Sequence, residues 1–134
     1  MDERKLFNLI KEKIIPDLEK TDQYSYKDAT SKEFEMVLEL KCRRQHHRFL
    51  ILEKEKYDKL ILNKNPRYIN SIPVYPYQNT FEVYSWNLKK LENPRWIQKW
   101  CKETTDFGPD KYILKWVTMV DIHKAKNLTS KLFN

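Results

Sequence analysis

A single glycine, Gly108, serves all 134 residues of the chain. The G-x-G-x-x-G turn of dinucleotide-binding folds and the G-x-x-x-x-G-K-[ST] phosphate loop both use several glycines to bring backbone close to a phosphate. Neither motif is present, so a Rossmann crevice and a P-loop are excluded. The longest unbroken apolar run, Phe49-Leu50-Ile51-Leu52, falls far short of the ~20 residues of a membrane span. The charged start Met1-Asp2-Glu3-Arg4-Lys5 lacks the apolar stretch of a secretion signal, so a cytoplasmic protein without membrane association is expected.

The length suits one domain, and no repeat, linker or low-complexity tract divides it. Hydrophobic residues make up 40% of the chain, enough for a core. Charge is unevenly spread: residues 1–40 carry 7 basic and 10 acidic side chains, whereas 41–134 carry 19 and 9. A strongly basic second part suggests a polyanionic partner, nucleic acid above all. Cys42 and Cys101 form no C-x-x-C pair and are expected to be buried thiols.

The periodicities give an element order. Leu6, Leu9, Ile10, Ile14 and Leu18 recur at helical spacing, with Pro16 set to kink or split the helix. The polar stretch 21–31 holds a brief aromatic strand at Tyr24-Ser25-Tyr26. Residues 34–42 alternate, with Met36, Leu38, Leu40 and Cys42 on one face and Val37, Glu39 and Lys41 on the other. Residues 49–52 read as a fully apolar strand of a sheet centre. A helix follows over 53–63, with Tyr57, Leu60 and Ile61 as its buried stripe. Two strands at 71–77 and 80–86 come next, the first an edge or irregular strand because of Pro73 and Pro76. Beyond residue 88 the patterns suggest a short helix at 96–102, a strand or helix at 112–120 and a final helix at 121–131. The expectation is α/β: a small mixed sheet flanked by helices, with a core over about 5–87 and a C-terminal extension over 88–134.

Chemistry concentrates around Asp28 and Glu39-Leu40-Lys41. Period-two geometry points Glu39 and Lys41 the same way, and an aspartate at the end of the preceding strand would converge on them. Two carboxylates and the Leu40 main-chain carbonyl make an oxygen-rich half shell suited to Mg²⁺, with Mn²⁺ as a substitute. A water activated by the metal beside a lysine is a nucleophile suited to phosphodiester hydrolysis. The tripeptide alone is uninformative. Eleven glutamates and twenty lysines make one or two E-x-K matches expected by chance, and the chain holds two. Its setting distinguishes the second: an apolar-alternating strand, a preceding aspartate and a following arginine-rich loop. The plainer alternative is an exposed Glu39–Lys41 pair of little energetic consequence.

The run Phe34-Glu35-Met36-Val37-Leu38-Glu39-Leu40-Lys41-Cys42-Arg43-Arg44, with Leu50-Ile51-Leu52-Glu53-Lys54-Glu55-Lys56-Tyr57-Asp58-Lys59-Leu60 after it, resembles the core of the PD-(D/E)XK nuclease superfamily. It is closest to small phage and bacterial endonuclease-like proteins akin to Holliday-junction resolvases. The resemblance implies a restriction-endonuclease-like α-β-β-β-α-β core and a Mg²⁺-dependent endonuclease, a hydrolase cutting DNA, structured or branched DNA included. It assigns Asp28 and Glu39 to the metal and Lys41 to the water, and it implies a homodimer. Lys27 stands where the motif has proline, and Asp22 is a rival to Asp28. Relatives often add an acid from the first helix, for which Glu12 and Glu19 are candidates.

Arg43, Arg44, His46 and Arg48 leave the same strand and are candidates for gripping the nucleic-acid backbone. Lys56, at the start of the second helix, is a candidate facing the site. Zinc at Cys42, His46 and His47 is not expected, since adjacent histidines in extended chain point opposite ways and a fourth ligand is missing. Trp86, Trp96, Trp100 and Trp116 are candidates for stacking unpaired bases, although at least three of them are expected in the core. The stretch Thr104-Thr105-Asp106-Phe107-Gly108 suggests a loop of unassigned role. A nucleic-acid-binding module without hydrolytic activity is the alternative reading, and an interaction protein facing an acidic partner is a third.

Overall fold

The computed structural model describes residues 1–22, 25, 27–74, 79–103 and 111–133. Helix α1 (Glu3–Lys13) starts at Asp2, whose carboxylate accepts the Lys5 N–H at 2.8 Å, and buries Leu6, Phe7 and Ile10. It ends shortly before Pro16, because the residue preceding a proline is driven out of helical conformation. The Lys11 ammonium then ties down the turn by donating to the Pro16 and Leu18 carbonyls.

Six strands form the main sheet: β1 (Glu19–Lys20), β2 (Ala29–Ser31), β3 (Met36–Cys42), β5 (Asn65–Pro73), β6 (Phe81–Asn87) and β9 (Lys126–Asn127), in the order β1-β2-β3-β5-β6-β9. Among the described residues only β3 and β5 pair in parallel; the other neighbours are antiparallel. The parallel crossover runs through β4 (Phe49–Glu53) and α2 (Lys54–Leu60). A second, three-stranded antiparallel sheet has the order β4-β8-β7, with β7 spanning Ile97–Lys102 and β8 spanning Tyr112–Asp121. With α3 (Thr129–Phe133), the whole is mixed α/β.

Two apolar cores lie on opposite faces of the main sheet. On one face Leu38, Leu40, Ile69 and Val83 pack against α1 and against Leu128 and Leu132 near the C-terminus. On the other, Val37, Tyr68, Ile72 and Trp86 meet Leu50, Leu52 and Val120 of the second sheet and Leu60 of α2. Strand β3 is therefore covered on both sides. The β2–β3 turn needs a left-handed residue, and without a glycine it uses Glu35 at φ 51°.

Several expectations are corrected. Strand β4 is an edge strand of the second sheet and does not enter the centre of the main one. Strand β5 is central, and it tolerates Pro66 and Pro73 because they sit near its two ends, where few ladder N–H groups are lost. The expected helix at 96–102 is strand β7, since pairing with β8 outweighs an ambiguous periodicity. Residues 121–131 are not one helix. Asp121 and Asn127 each accept the N–H two residues on, His123 and Thr129, and so break the segment into a 3-10 turn, β9 and α3. The polar stretch before β3 contains β2, whereas most of the expected strand at 24–26 lies outside the described residues, as do 75–77 and 104–108. Cys42 and Cys101 are half-buried, not buried. Of the four tryptophans only Trp86, 3% exposed, is in the core; Trp96 is half-buried and Trp100 and Trp116 are exposed. Among the described residues, no helix is long and apolar enough to cross a membrane.

Candidate active site

The register between β2 and β3 sets Ala29 opposite Leu38. Asp28 lies just outside that register but close enough to Glu39 for its charge to act on the Glu39 carboxyl. Asp28 sits just beyond the end of β2. Its N–H donates to the Leu38 carbonyl at 2.8 Å, and its Oδ2 accepts the Leu40 N–H at 2.7 Å. The aspartate side chain thus holds a β3 donor where regular β2 pairing stops, which fixes the carboxylate beside Glu39.

Glu39 is only 2% exposed. A solvated surface pair of Glu39 and Lys41 is thereby ruled out, because α2 and the second sheet cover this face. Two ammoniums approach Glu39 Oε1, Lys56 at 3.5 Å and Lys41 at 4.0 Å, while Oε2 is buried without a hydrogen-bond partner. Lys56 reaches it from the first turn of α2, one helical turn ahead of Leu60, which anchors that short helix in the core. Burial pushes the Glu39 carboxyl up to about 8; the Asp28 charge acts in the same direction, and Lys56 and Lys41 only partly oppose it.

A small cavity of about 160 Å³ borders Asp28 and Leu40 and is also lined by Glu3, Lys20 and Asp22. Asp22 and Asp28 therefore flank one space. Glu3 was missed from the sequence, although it continues the α1 stripe of Leu6, Phe7 and Ile10 by one turn toward the N-terminus, and an acid on an apolar stripe is a legible signal. Its carboxyl is raised by partial burial and by Asp28, against Lys41, Lys56 and Lys20. The acids favoured from the first helix lie elsewhere. Glu12 is exposed and pairs with Lys13, and Glu19 is exposed on β1.

The arginine-rich segment divides in two. Arg43 is turned inward: its Nε donates to Asn70 Oδ1 at 2.8 Å, and its Nη2 donates to the Ile51 carbonyl at 2.8 Å and to the Tyr68 hydroxyl at 2.7 Å. This network links β3, β4 and β5 behind Glu39, and burial raises the Tyr68 phenol to about 12. Arg48 forms a two-pronged pair with Asp121, both contacts at 3.1 Å, and lies 4.9 Å above the Phe49 ring. Both guanidiniums are thus engaged within the fold. Arg44 and His46 are exposed, the His46 ring with Nδ1 3.1 Å from the Pro73 carbonyl oxygen.

The donors that face one another are hard oxygens, and a buried Oε2 without a partner fits a divalent cation. Among the described residues, no group of three or more His, Cys, Asp or Glu side chains is arranged to hold a metal ion. Mg²⁺ is commonly held by one or two carboxylates plus waters and substrate phosphate, and Asp28 and Glu39 carry donors of that type. No protein-family model, curated protein or solved structure matches the chain.

Proposed function

We propose that the chain is a Mg²⁺-dependent endonuclease that hydrolyses phosphodiester bonds in DNA, structured or branched DNA included. One observation carries the proposal: the Asp28 carboxylate, just before β2, lies close to Glu39 on β3, with the Lys41 and Lys56 ammoniums 4.0 and 3.5 Å from the buried Glu39. The element order supports it as well. The order α1, β1 to β4, α2 and β5 is similar to the α-β-β-β-α-β pattern of a restriction-endonuclease-like core but has one more strand before α2.

Asp28 and Glu39 would hold Mg²⁺, or Mn²⁺ in its place, with help from the Leu40 carbonyl. When bound, the ion acidifies water and neutralises charge developing at the scissile phosphate. Lys41, partly exposed beside Glu39, would orient the attacking water or, once in its neutral amine form, take its proton. Lys56 holds the Glu39 carboxylate in place. Arg44 and His46 are the members of the basic segment left to meet the DNA backbone, whereas Arg43 and Arg48 serve the fold. The near-complete burial of Glu39 favours a second reading, a nucleic-acid-binding module without hydrolysis, in which that carboxyl only supports the fold.

A plasmid-nicking assay separates the two. The endonuclease reading expects nicking with Mg²⁺, none with EDTA, and loss of at least about 100-fold in Lys41→Ala, the low end for removing a general base. Cutting that persists in EDTA, or at the wild-type rate in Lys41→Ala, overturns it.

A further inference from the structure

The apolar face of the second sheet extends past the core that it covers. Leu50 and Leu52 of β4 lie opposite Val120 and Thr118 of β8, and all four are buried. Along β8 the same face continues to Trp116, Leu114 and Tyr112. Across the ladder, Trp100 lies opposite Leu114, Gln98 opposite Trp116 and Lys102 opposite Tyr112, so these β7 residues share it. Here the face emerges into solvent: Trp100 is 64% exposed and Trp116 51%, with Leu114 and Tyr112 exposed beside them. Three aromatic rings on one pleated surface are held by a ladder that fixes their spacing.

We propose that this face is a stacking platform for the unpaired bases of a single nucleic-acid strand. Flat rings meet the bases, and the charge around them meets the phosphates. Among the described residues the face itself bears Lys102 and no acid, and Lys99 and Lys115 project from the reverse of the same ribbon. Nearby acids are neutralised: Glu103 pairs with Lys111, Glu53 with Lys115 and Asp58 with Lys54. A second copy of the chain would bring the same cations against these, whereas a polyanion complements them. Basic residues interleaved with aromatic ones are the combination that binds single strands irrespective of sequence.

The platform is joined to the candidate active site. Trp96, just before β7, packs on Tyr57 of α2 with ring centroids 5.2 Å apart, and Tyr57 follows Lys56, which reaches Glu39. The inference thus deepens the nuclease reading, on which it rests for its purpose, by giving the substrate an unpaired segment. Its test needs no catalysis.

The full-length chain in EDTA is titrated with fluorescein-labelled oligo-dT, oligo-U and a blunt duplex while quenching of tryptophan fluorescence is followed. Trp100→Ala and Trp116→Ala are each expected to weaken binding of a single strand about 5- to 100-fold, the range for loss of one stacked base. Duplex binding should change little. Trp100→Phe, which keeps a ring, should restore most of the affinity. The better of oligo-dT and oligo-U identifies the sugar that the platform accepts. Equal single-strand affinity in wild type and both alanine variants, with their circular dichroism unchanged, overturns the proposal. A dimer in sedimentation that Trp100→Ala dissolves also overturns it, by showing a second copy on this face. If plasmid nicking fails while the ring-dependent binding stands, only the nuclease reading is lost.

Discussion

Replacing Glu39 by glutamine removes a carboxyl that the fold holds in the wrong environment for its charge. In the unfolded chain this group ionises near its ordinary 4.5, but in the folded protein at about 8. Below about pH 4.5 it is neutral in both states and costs nothing. As the pH rises from there to 8, the unfolded state gains from ionisation while the folded state retains the proton, so stability falls. The slope is about 1.4 kcal/mol per pH unit, and the loss levels off at about 5 kcal/mol above about pH 8. A glutamine in this place has no proton to lose and keeps an oxygen for Lys56 and Lys41. Urea unfolding of both proteins in EDTA, from about pH 5 to about pH 9, isolates the effect of Glu39 and the groups coupled to it, because titrations remote from Glu39 are common to the two. Their midpoints should nearly coincide at the acid end. At the alkaline end the Glu39→Gln protein should unfold about 2 M later, for a urea dependence of about 2 kcal/mol per molar. The variant should nevertheless be inactive in nicking. Midpoints that stay parallel across the range, or a less stable variant in alkali, would show that the Glu39 charge is well accommodated, and the argument from burial would be wrong.

Other outcomes follow from the same geometry. Asp28→Asn removes a charge beside Glu39 while leaving an oxygen for the Leu40 N–H, so the stability loss should level off at a lower pH and be smaller; an unchanged loss in the same unfolding series would contradict their proximity. Because Mg²⁺ needs an ionised Glu39, its affinity measured by calorimetry should rise up to about tenfold per pH unit below about pH 8, with proton release seen as a dependence on buffer ionisation heat; equal affinity at about pH 6 and about pH 8 would exclude Glu39 as a ligand. Arg43→Ala leaves Asn70 Oδ1 without its partner, while the Ile51 carbonyl keeps the Tyr68 hydroxyl, and should cost about 1–3 kcal/mol of stability, whereas Arg44→Ala should leave stability unchanged. Arg44→Ala should instead lower the salt slope of DNA binding by about one phosphate contact, and no change in slope would remove Arg44 from the interface.

Much of the central motif was legible because strand periodicity is a local property. The alternation of Met36 to Cys42 gave β3 and put Glu39 and Lys41 on one side of it. Lys56 was legible too, being at the start of a helix that directly follows a strand. Other features were hidden for a common reason. Whether an arginine is bound inward or left to solvent depends on acceptors distant in sequence: Asn70 and Tyr68 for Arg43, Asp121 for Arg48. Glu3 joins the site only because α1 packs across β3 with its first turn near Asp28. The exposed tryptophans contradict their composition-based reading because β7 and β8 extend beyond the layer that would cover them.

Local alternation and capping, which act over a few residues, determined by sequence alone that an acid and a lysine project together from an apolar strand. Burial and partnership depend on which strands become neighbours. Folding alone decided that β4 leaves the main sheet, that Glu39 is sealed beneath α2 and the second sheet, and that Asp28 stands close to it. Those long-range pairings turn an ordinary surface tripeptide into a buried carboxyl whose pKa burial raises well above its ordinary value.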